Sequence, residues 1–200
     1  MPEAILFDFD GVLADSEPLH FACWRDVLAP HGVHLRWDYY AQHCIGVADL
    51  EMVERLCRLH DPPLRVETVF GDYPRKKRLF AELVAQESPI SRPTREFLRE
   101  LASFKLAVVS SSGRAEIEPM LCSAGVRELF GAVVCREDVQ RLKPAPDPYL
   151  EAARALGVRD AVVVEDSDVG AASGRAAGFD VLKVSSANSM VAELRAHLGI

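Results

Sequence analysis

The sequence has no long apolar run and no excess of positive charge. Its apolar stretches fall well short of the roughly 18 residues that a membrane-spanning helix needs. Its start, MPEAILFDFD, lacks the basic segment that precedes the apolar core of an export signal. Lys and Arg number 23 against 30 Asp and Glu, which leaves a net charge of −7. Because an acidic surface repels a phosphate backbone, we expect neither a membrane nor a nucleic acid among the partners.

The cysteines follow no pattern either. The five cysteines are scattered, and none forms a CxxC pair. An odd number of scattered cysteines is typical of reduced thiols rather than of a disulfide framework, so a cytoplasmic protein is predicted. Apolar residues, by contrast, make up 49% of the 200 positions. That is enough for one globular domain, or for one domain with a smaller domain inserted into it.

Short β-rich runs divide the chain. They are Ala4–Phe9, Leu106–Ser110, Ala132–Cys135, Ala161–Glu165 and Val181–Val184. The first, second and fourth do not alternate between apolar and polar residues, which is typical of strands covered on both faces. Helical patterns separate the later runs, and Asp147-Pro148 marks the start of one helix. This alternation predicts an α/β fold with a doubly wound, Rossmann-like parallel sheet.

The gap between the first two strands is too long for a single crossover helix. Apolar residues recur there at helical spacing, for example at Leu50, Val53 and Cys57. We therefore predict a small α-helical domain at residues 16–88, inserted into an α/β domain of residues 1–15 and 89–200. The basic run Arg75–Arg78 within the insert is predicted to be a solvated helix face.

Polar side chains follow the predicted strands at their carboxyl ends, where open α/β sheets bind ligands. They are Asp8 and Asp10 after the first strand, Ser110, Ser111 and Ser112 after the second, Glu165, Asp166 and Ser167 after the fourth, and Lys143 in the loop RLKPAPDP. Each group taken alone would also suit an ordinary turn, helix cap or surface site. Together, however, they offer carboxylates to a cation, and hydroxyls, amides and an ammonium to an anion. Hard oxygen ligands beside an anion site predict Mg²⁺ rather than zinc.

Four motifs occur in order along nearly the whole chain. They read FDFDGVLADSE, VVSSSG, LKPAPDPYL and VVVEDSDVGAASGRAAG. In order and spacing they resemble the motifs of the haloacid dehalogenase superfamily, in its branch with an inserted helical cap. The nearest members in pattern are similar to β-phosphoglucomutase and phosphoglycolate phosphatase.

The resemblance implies a role for each carboxylate. Asp8 would be the nucleophile that forms an aspartyl-phosphate. Asp10 would be the general acid and then the general base, with a pKa raised by the neighbouring charge of Asp8. Mg²⁺ would be held by Asp8, the backbone carbonyl of Asp10, and Asp166, with Glu165 acting through water.

The resemblance also implies a phosphate site. The Ser110 hydroxyl and the Ser111 amide would hold phosphate oxygens, and Lys143 would neutralise the charge that builds up on them. Four further residues are candidate substrate contacts on the same ground: His20, Gly46, Lys76 and Arg114. The expected partner is a small phosphorylated metabolite, and the expected state is a monomer or a weak homodimer.

The choice between a phosphatase and a phosphomutase depends on the insert. In β-phosphoglucomutases an arginine that follows the cap glycine grips a second phosphate, and the matching position here is Asp49. An acidic group would repel that phosphate. We therefore predict a Mg²⁺-dependent phosphatase of small phosphomonoesters, of the sugar phosphate or phosphoglycolate class. A β-phosphoglucomutase-type phosphomutase is the alternative.

Two other activities are less favoured by the sequence. Metal-free dehalogenases share the first aspartate of the motif, but hydrolysis of their ester intermediate does not call for Asp10. A non-enzymatic phosphoacceptor module would also use an acidic Mg²⁺ pocket and a lysine, but the inserted helical domain would have no purpose in it.

Overall fold

The chain folds as two units. The computed structural model describes residues 2–200. One unit comprises Met1–Ser16 with Ser88–Ile200, and the other comprises Glu17–Glu87. The boundaries predicted from the sequence lie one residue away from these.

The inserted unit is helical. Its helices are α1 (Glu17–Leu28), α2 (Trp37–His43), α3 (Asp49–Leu59), α4 (Val66–Phe70) and α5 (Tyr73–Gln86). Helix α1 packs against α5, and α3 packs against α4. Apolar side chains from α1, α2, α3 and α4 form one continuous buried cluster. The unit therefore has a hydrophobic core of its own.

Two predictions about this unit were wrong in detail. Leu50 is 45% exposed, because α3 buries Met52, Val53, Leu56 and Cys57 and leaves Leu50 at the edge of that stripe. Lys76, predicted to lie on a solvated face with the rest of the basic run, is only 2% exposed. A buried ammonium needs charged or polar partners, and Lys76 has them within the unit.

The second unit is built on a five-stranded parallel sheet with the order β3-β2-β1-β4-β5. The strands are β1 (Ala4–Phe7), β2 (Lys105–Val109), β3 (Ala132–Val134), β4 (Ala161–Glu165) and β5 (Asp180–Lys183). Every residue of the central strand, β1, is buried, and so is every residue of its neighbour β4. Burial on both faces explains why these runs do not alternate, and it confirms the predicted α/β parallel fold.

Helices of the same unit pack on this sheet. They are α6 (Arg92–Glu100), α7 (Arg114–Ser123), α8 (Asp147–Leu156), α9 (Asp168–Ala176) and α10 (Met190–Leu198). Helix α8 packs on β1, β2 and β3, and α9 packs on β4 and β5. Within residues 2–200 no helix combines the length and the apolar character required to cross a bilayer.

Candidate active site

The predicted site residues of three strands meet at one edge of the sheet. Asp8 directly follows β1, Ser110 directly follows β2, and Glu165 is the last residue of β4. The strand hydrogen bonding continues through these positions, because the Asp8 N–H donates to the Val164 carbonyl at 2.9 Å and the Ser110 N–H to the Val134 carbonyl at 2.9 Å. Since β1 lies between β2 and β4, residues far apart in the chain become neighbours.

Lys143 connects two of these carboxylates. Its Nζ donates to Asp8 Oδ1 at 2.6 Å, to Glu165 Oε1 at 2.6 Å and to the Val109 carbonyl at 3.0 Å. An ammonium has three donors, and all three are used. Burial disfavours the charged form of Lys143, but the charges of Asp8 and Glu165 outweigh this effect and raise its pKa. Lys143 is therefore a fixed positive charge shared by two acids.

The pKa of Asp8, the first aspartate of the DFD motif, is shifted upward. Burial raises its pKa from 3.8 to about 7, although the charge of Lys143 opposes the shift. The neighbouring charge of Glu165 adds to the increase. Near neutral pH, Asp8 would therefore carry a proton part of the time unless more positive charge were brought to the site.

Asp10 has a different set of partners. Ser16 Oγ donates to its Oδ1 at 2.5 Å, and Ser112 Oγ donates to its Oδ2 at 3.3 Å. Burial raises the pKa of Asp10, and these two hydroxyl groups oppose the increase. The sequence predicted this direction but attributed it to the charge of Asp8. Burial is the cause that raises this pKa.

The acids at this edge suit a divalent cation. Asp8, Glu165 and Asp166 each place one carboxylate oxygen within 4.8 Å of the others. When these three and Asp10 are ionised, four negative charges face the single positive charge of Lys143. Oxygen donors and uncompensated negative charge are what a hard cation such as Mg²⁺ prefers. The donor set therefore fits the predicted metal.

Two glycines leave room for the carboxylates of Glu165, the last residue of β4, and Asp166, which follows it. A Cβ on Gly11, whose φ is +78°, would lie 2.0 Å from Asp166 Oδ2. A Cβ on Gly170 would lie 1.7 Å from Glu165 Oε1. Any side chain at either position would displace a site carboxylate. Sequence reasoning did not single out these glycines, although both lie inside the quoted motifs.

The serines after β2 offer hydroxyl and amide groups. Ser110 Oγ accepts the Ser112 N–H at 3.0 Å, and its own O–H is thus left to donate to an anion. Ser111 is exposed, and its carbonyl accepts Arg136 Nε at 3.1 Å. Helix α7 begins shortly after this turn, and its N-terminal end favours negative charge.

Arg114, a predicted substrate contact, is held by its own unit. Its guanidinium donates to Glu118 Oε1 at 3.0 Å, to Asp138 Oδ2 at 2.6 Å and to the Val133 carbonyl at 3.0 Å. The charge of Arg114 is therefore already balanced by two acids.

The other predicted substrate contacts belong to the helical unit. Lys76 Nζ donates to His20 Nδ1 at 2.9 Å and lies 3.3 Å from Asp49 Oδ2. Trp24 Nε1 donates to the second oxygen of Asp49 at 2.9 Å. Burial and the charge of Lys76 lower the pKa of His20 to about 4, so its ring is neutral. Gly46 is exposed in the turn after α2.

Two residues with a role in the site were missed at the level of sequence. They are Ser16, whose hydroxyl donates to Asp10, and Tyr149, whose hydroxyl donates to Glu165. Ser16 lies inside the first motif and Tyr149 inside the third, which is a signal that could have found them. Ser112 and Ser167, which the sequence placed after the second and fourth strands, also donate to these two carboxylates.

The chain matches the family model described as haloacid dehalogenase-like hydrolase over residues 5–184. It is 31% identical over 184 residues to the fructose-1-phosphate phosphatase YqaB of Escherichia coli, an alignment that covers 90% of this chain and 95% of that protein. It is 28% identical over 207 residues to a β-phosphoglucomutase of Mycobacterium tuberculosis, which covers 90% of this chain and 79% of that protein.

A solved structure shows the same similarity. The crystal structure of a hydrolase of this kind from Deinococcus radiodurans, with bound phosphate and sodium, superposes with a TM-score of 0.77 at 30% identity. The superposition covers 98% of this chain and 95% of that one. The similarity therefore extends over nearly the whole chain.

Proposed function

Because the chain belongs to the haloacid dehalogenase-like hydrolases, we propose that it is a Mg²⁺-dependent phosphatase of small phosphorylated carbohydrates. The observation that carries the proposal is the pair of aspartates in one site with different partners. Asp8 lies against the ammonium of Lys143, and Asp10 lies against the hydroxyls of Ser16 and Ser112. Two carboxyl groups in different environments suit the separate roles of nucleophile and general acid.

In the first half-reaction a carboxylate oxygen of Asp8 attacks phosphorus. A bond forms between Asp8 and phosphorus, the ester P–O bond breaks, and the leaving alcohol takes a proton from Asp10. The raised pKa of Asp10 favours its holding that proton beforehand. In the second half-reaction Asp10 accepts a proton from water, whose oxygen attacks the aspartyl-phosphate. Inorganic phosphate leaves and Asp8 is restored as a carboxylate.

Lys143 and the serine turn would stabilise the transferring group. Lys143 faces the charge that develops on the phosphoryl oxygens, while the Ser110 hydroxyl and the Ser111 amide orient those oxygens. The metal would be held by Asp8, Asp166 and the Asp10 carbonyl. Glu165, whose two oxygens accept four donors of the protein, would add its negative charge beside the metal. When bound, Mg²⁺ supplies positive charge that reduces the repulsion between an anionic nucleophile and an anionic phosphate.

The relatives and the helical unit both support a sugar phosphate as the substrate class. The relative in Escherichia coli is named for fructose 1-phosphate, so a sugar monophosphate is the first candidate. In the helical unit, the Asp49 carboxylate and the neutral ring of His20 would suit sugar hydroxyls better than a second anion. We propose His20, Lys76 and Gly46 as residues that select the substrate.

A phosphomutase is the second candidate, because a β-phosphoglucomutase is among the relatives. Such an enzyme must bind a bisphosphate, and the second phosphate needs positive charge. The charge of Lys76 is offset by Asp49 at 3.3 Å, and His20 is neutral. This pairing favours the phosphatase.

The deciding experiment is phosphate release from a panel of phosphorylated metabolites in the presence of Mg²⁺. The panel includes fructose 1-phosphate, other sugar phosphates and phosphoglycolate. In parallel, β-glucose 1-phosphate is supplied with a bisphosphate primer, and both glucose 6-phosphate and free phosphate are measured. Each assay is repeated with the Asp8→Asn variant, which lacks the nucleophile.

Repeated turnover with release of phosphate, lost in Asp8→Asn, would support the phosphatase. Glucose 6-phosphate without free phosphate would make the protein a phosphomutase and overturn our interpretation of Asp49. A single round of phosphorylation without turnover would indicate a phosphoacceptor module instead.

A further inference from the structure

Tyr149 contacts both charged groups that lie beside Asp8. It is the third residue of α8 and is fully buried. Its hydroxyl donates to Glu165 Oε1 at 2.8 Å, and its ring centroid lies 5.0 Å from Lys143 Nζ. The proposed reaction assigns no step to this residue.

The hydrogen bonds of Glu165 show what the hydroxyl does. Glu165 is fully buried, and its Oε1 accepts Lys143 Nζ and the Tyr149 hydroxyl. Its Oε2 accepts the Ser167 N–H at 3.2 Å and the Ser167 hydroxyl at 2.9 Å. A carboxylate has about four lone-pair sites, so the protein's own donors occupy the whole group. Loss of one donor would leave a buried charged oxygen short of a partner.

Asp8 and Glu165 compete for the same ammonium. Each accepts Lys143 Nζ at 2.6 Å, and the third donor of Lys143 is bound to the Val109 carbonyl. Any change that strengthens the attraction of Glu165 for Lys143 therefore weakens the contact with Asp8. The Tyr149 hydroxyl opposes such a change, because it satisfies part of the charge on Oε1.

We infer that Tyr149 is a positioning residue, which acts through Glu165 to keep Lys143 against Asp8. The inference rests on the proposed phosphoryl transfer, in which Lys143 faces the charge that builds up on the transferring group. Without the hydroxyl, Lys143 would be the remaining donor to Glu165 Oε1, and its Nζ would move toward Glu165 and away from the reacting atoms.

The first test is the Tyr149→Phe variant, which keeps the buried ring but removes the hydroxyl. We expect kcat to fall about tenfold and KM to stay within about twofold, because Lys143 matters most in the transition state. The matched control is Tyr40→Phe in the helical unit. Tyr40 is also buried, and its hydroxyl also donates to a carboxylate, Glu17 Oε2, at 2.7 Å. An equal fall in kcat in both variants would overturn the inference.

A double-mutant cycle tests whether the effect passes through Glu165. If it does, Tyr149→Phe will lower kcat in the wild-type background but not in the Glu165→Gln background. Losses that multiply in the double variant would mean that Tyr149 acts independently of Glu165, and the inference would be wrong.

A binding measurement separates this inference from the proposed function. Calorimetry is run with Mg²⁺ and aluminium fluoride, which mimics the transferring phosphoryl group, and separately with inorganic phosphate. We expect Tyr149→Phe to bind aluminium fluoride about tenfold more weakly and phosphate within about twofold of the wild type. A wild type that neither turns over nor binds aluminium fluoride would overturn the proposed function and this inference together. A Tyr149→Phe variant that matches an active wild type would overturn the inference alone.

Discussion

At the scale of single residues, the cost of a charge on Asp8 decides how the site must work. Raising its pKa from 3.8 to about 7 corresponds to about 4 kcal/mol against the ionised form. A divalent cation held by Asp8 and Asp166 would favour the ionised form, because opposite charges attract strongly in a buried site. A bound cation would therefore oppose this cost and favour the charged nucleophile near neutral pH.

The Asp8→Asn substitution keeps the shape of the side chain but removes the nucleophilic oxygen. We expect phosphate release to fall by about 10³-fold or more, because a neutral amide does not form the acyl-phosphate. Circular dichroism and the melting temperature should show that the fold is retained. Asp38→Asn serves as the control, since that side chain is 67% exposed and pairs with Arg36. Substantial activity in Asp8→Asn would contradict the assigned mechanism.

His20 makes stability depend on pH in a predictable direction. Above pH 6.5 the ring is neutral in both states, whereas between pH 6.5 and about 4 only the unfolded chain binds the proton. Stability therefore falls as the pH is lowered through this window, by about 3 kcal/mol in all. Urea unfolding at pH 7 and at pH 4.5 should show a smaller loss in His20→Gln than in the wild type. An identical loss in both proteins would contradict the buried, neutral state of His20.

At the scale of structural elements, the turn after β1 explains how the first motif fits against the carboxylate of Asp166. The Phe9 carbonyl accepts the N–H groups of Leu13 and Ala14, which closes the turn, and Gly11 lies within it with a positive φ. The turn brings the backbone of Gly11 against Asp166, which follows β4. Two strand ends therefore fit together only because one position has no side chain.

Gly11→Ala tests this fit. The new Cβ would meet Asp166 Oδ2 at 2.0 Å, so we expect activity to fall about 100-fold as the carboxylate is displaced. The control is Gly178→Ala, because Gly178 has a φ of +87° and nothing within 4 Å of its added Cβ. That control should lose about 1 kcal/mol of stability from backbone strain but keep its activity. Equal activity in the two variants would contradict the close approach of Gly11 and Asp166.

At the scale of the whole molecule, the strand order brings the carboxylates of Asp8, Glu165 and Asp166 together, and metal binding to them should stabilise the fold. The strand order places β1 at the centre, so residues near both ends of the chain share one edge. A ligand that binds only the folded state raises the stability of the fold by mass action. Because the acids at this edge outnumber the one lysine, Mg²⁺ is the ligand that we expect to act in this way.

Saturating Mg²⁺ should raise the melting temperature of the wild type by roughly 5–10 °C, if its concentration is about 100 times the dissociation constant. Potassium chloride at equal ionic strength should leave the melting temperature unchanged. Asp166→Asn should abolish the shift, and Asp168→Asn should retain it, because Asp168 is 94% exposed and pairs with Lys183. A shift of the same size in Asp166→Asn would show that the metal binds elsewhere.

The sequence alone was enough to predict the parallel sheet and the residues at its carboxyl edge. Strands buried on both faces are continuous apolar runs, and the polar residues directly after them stand out as a local signal. The strands predicted at residues 4–9 and 161–165 lie within two residues of β1 and β4. Adjacency in the chain was sufficient for these predictions, because each concerns one segment and its immediate neighbours in the sequence.

Only the tertiary structure decided which partners each side chain has. Lys76 was predicted on a solvated face from its basic neighbours, yet it is buried between His20 and Asp49, which lie on two other helices. Tyr149 meets Glu165 across 16 positions of the chain, and Lys143 meets Asp8 across 135. Burial and the balance of charge depend on contacts between segments that spacing does not encode. The sequence therefore determined which chemical groups are present, and the packing of separate elements determined their charge states and contacts.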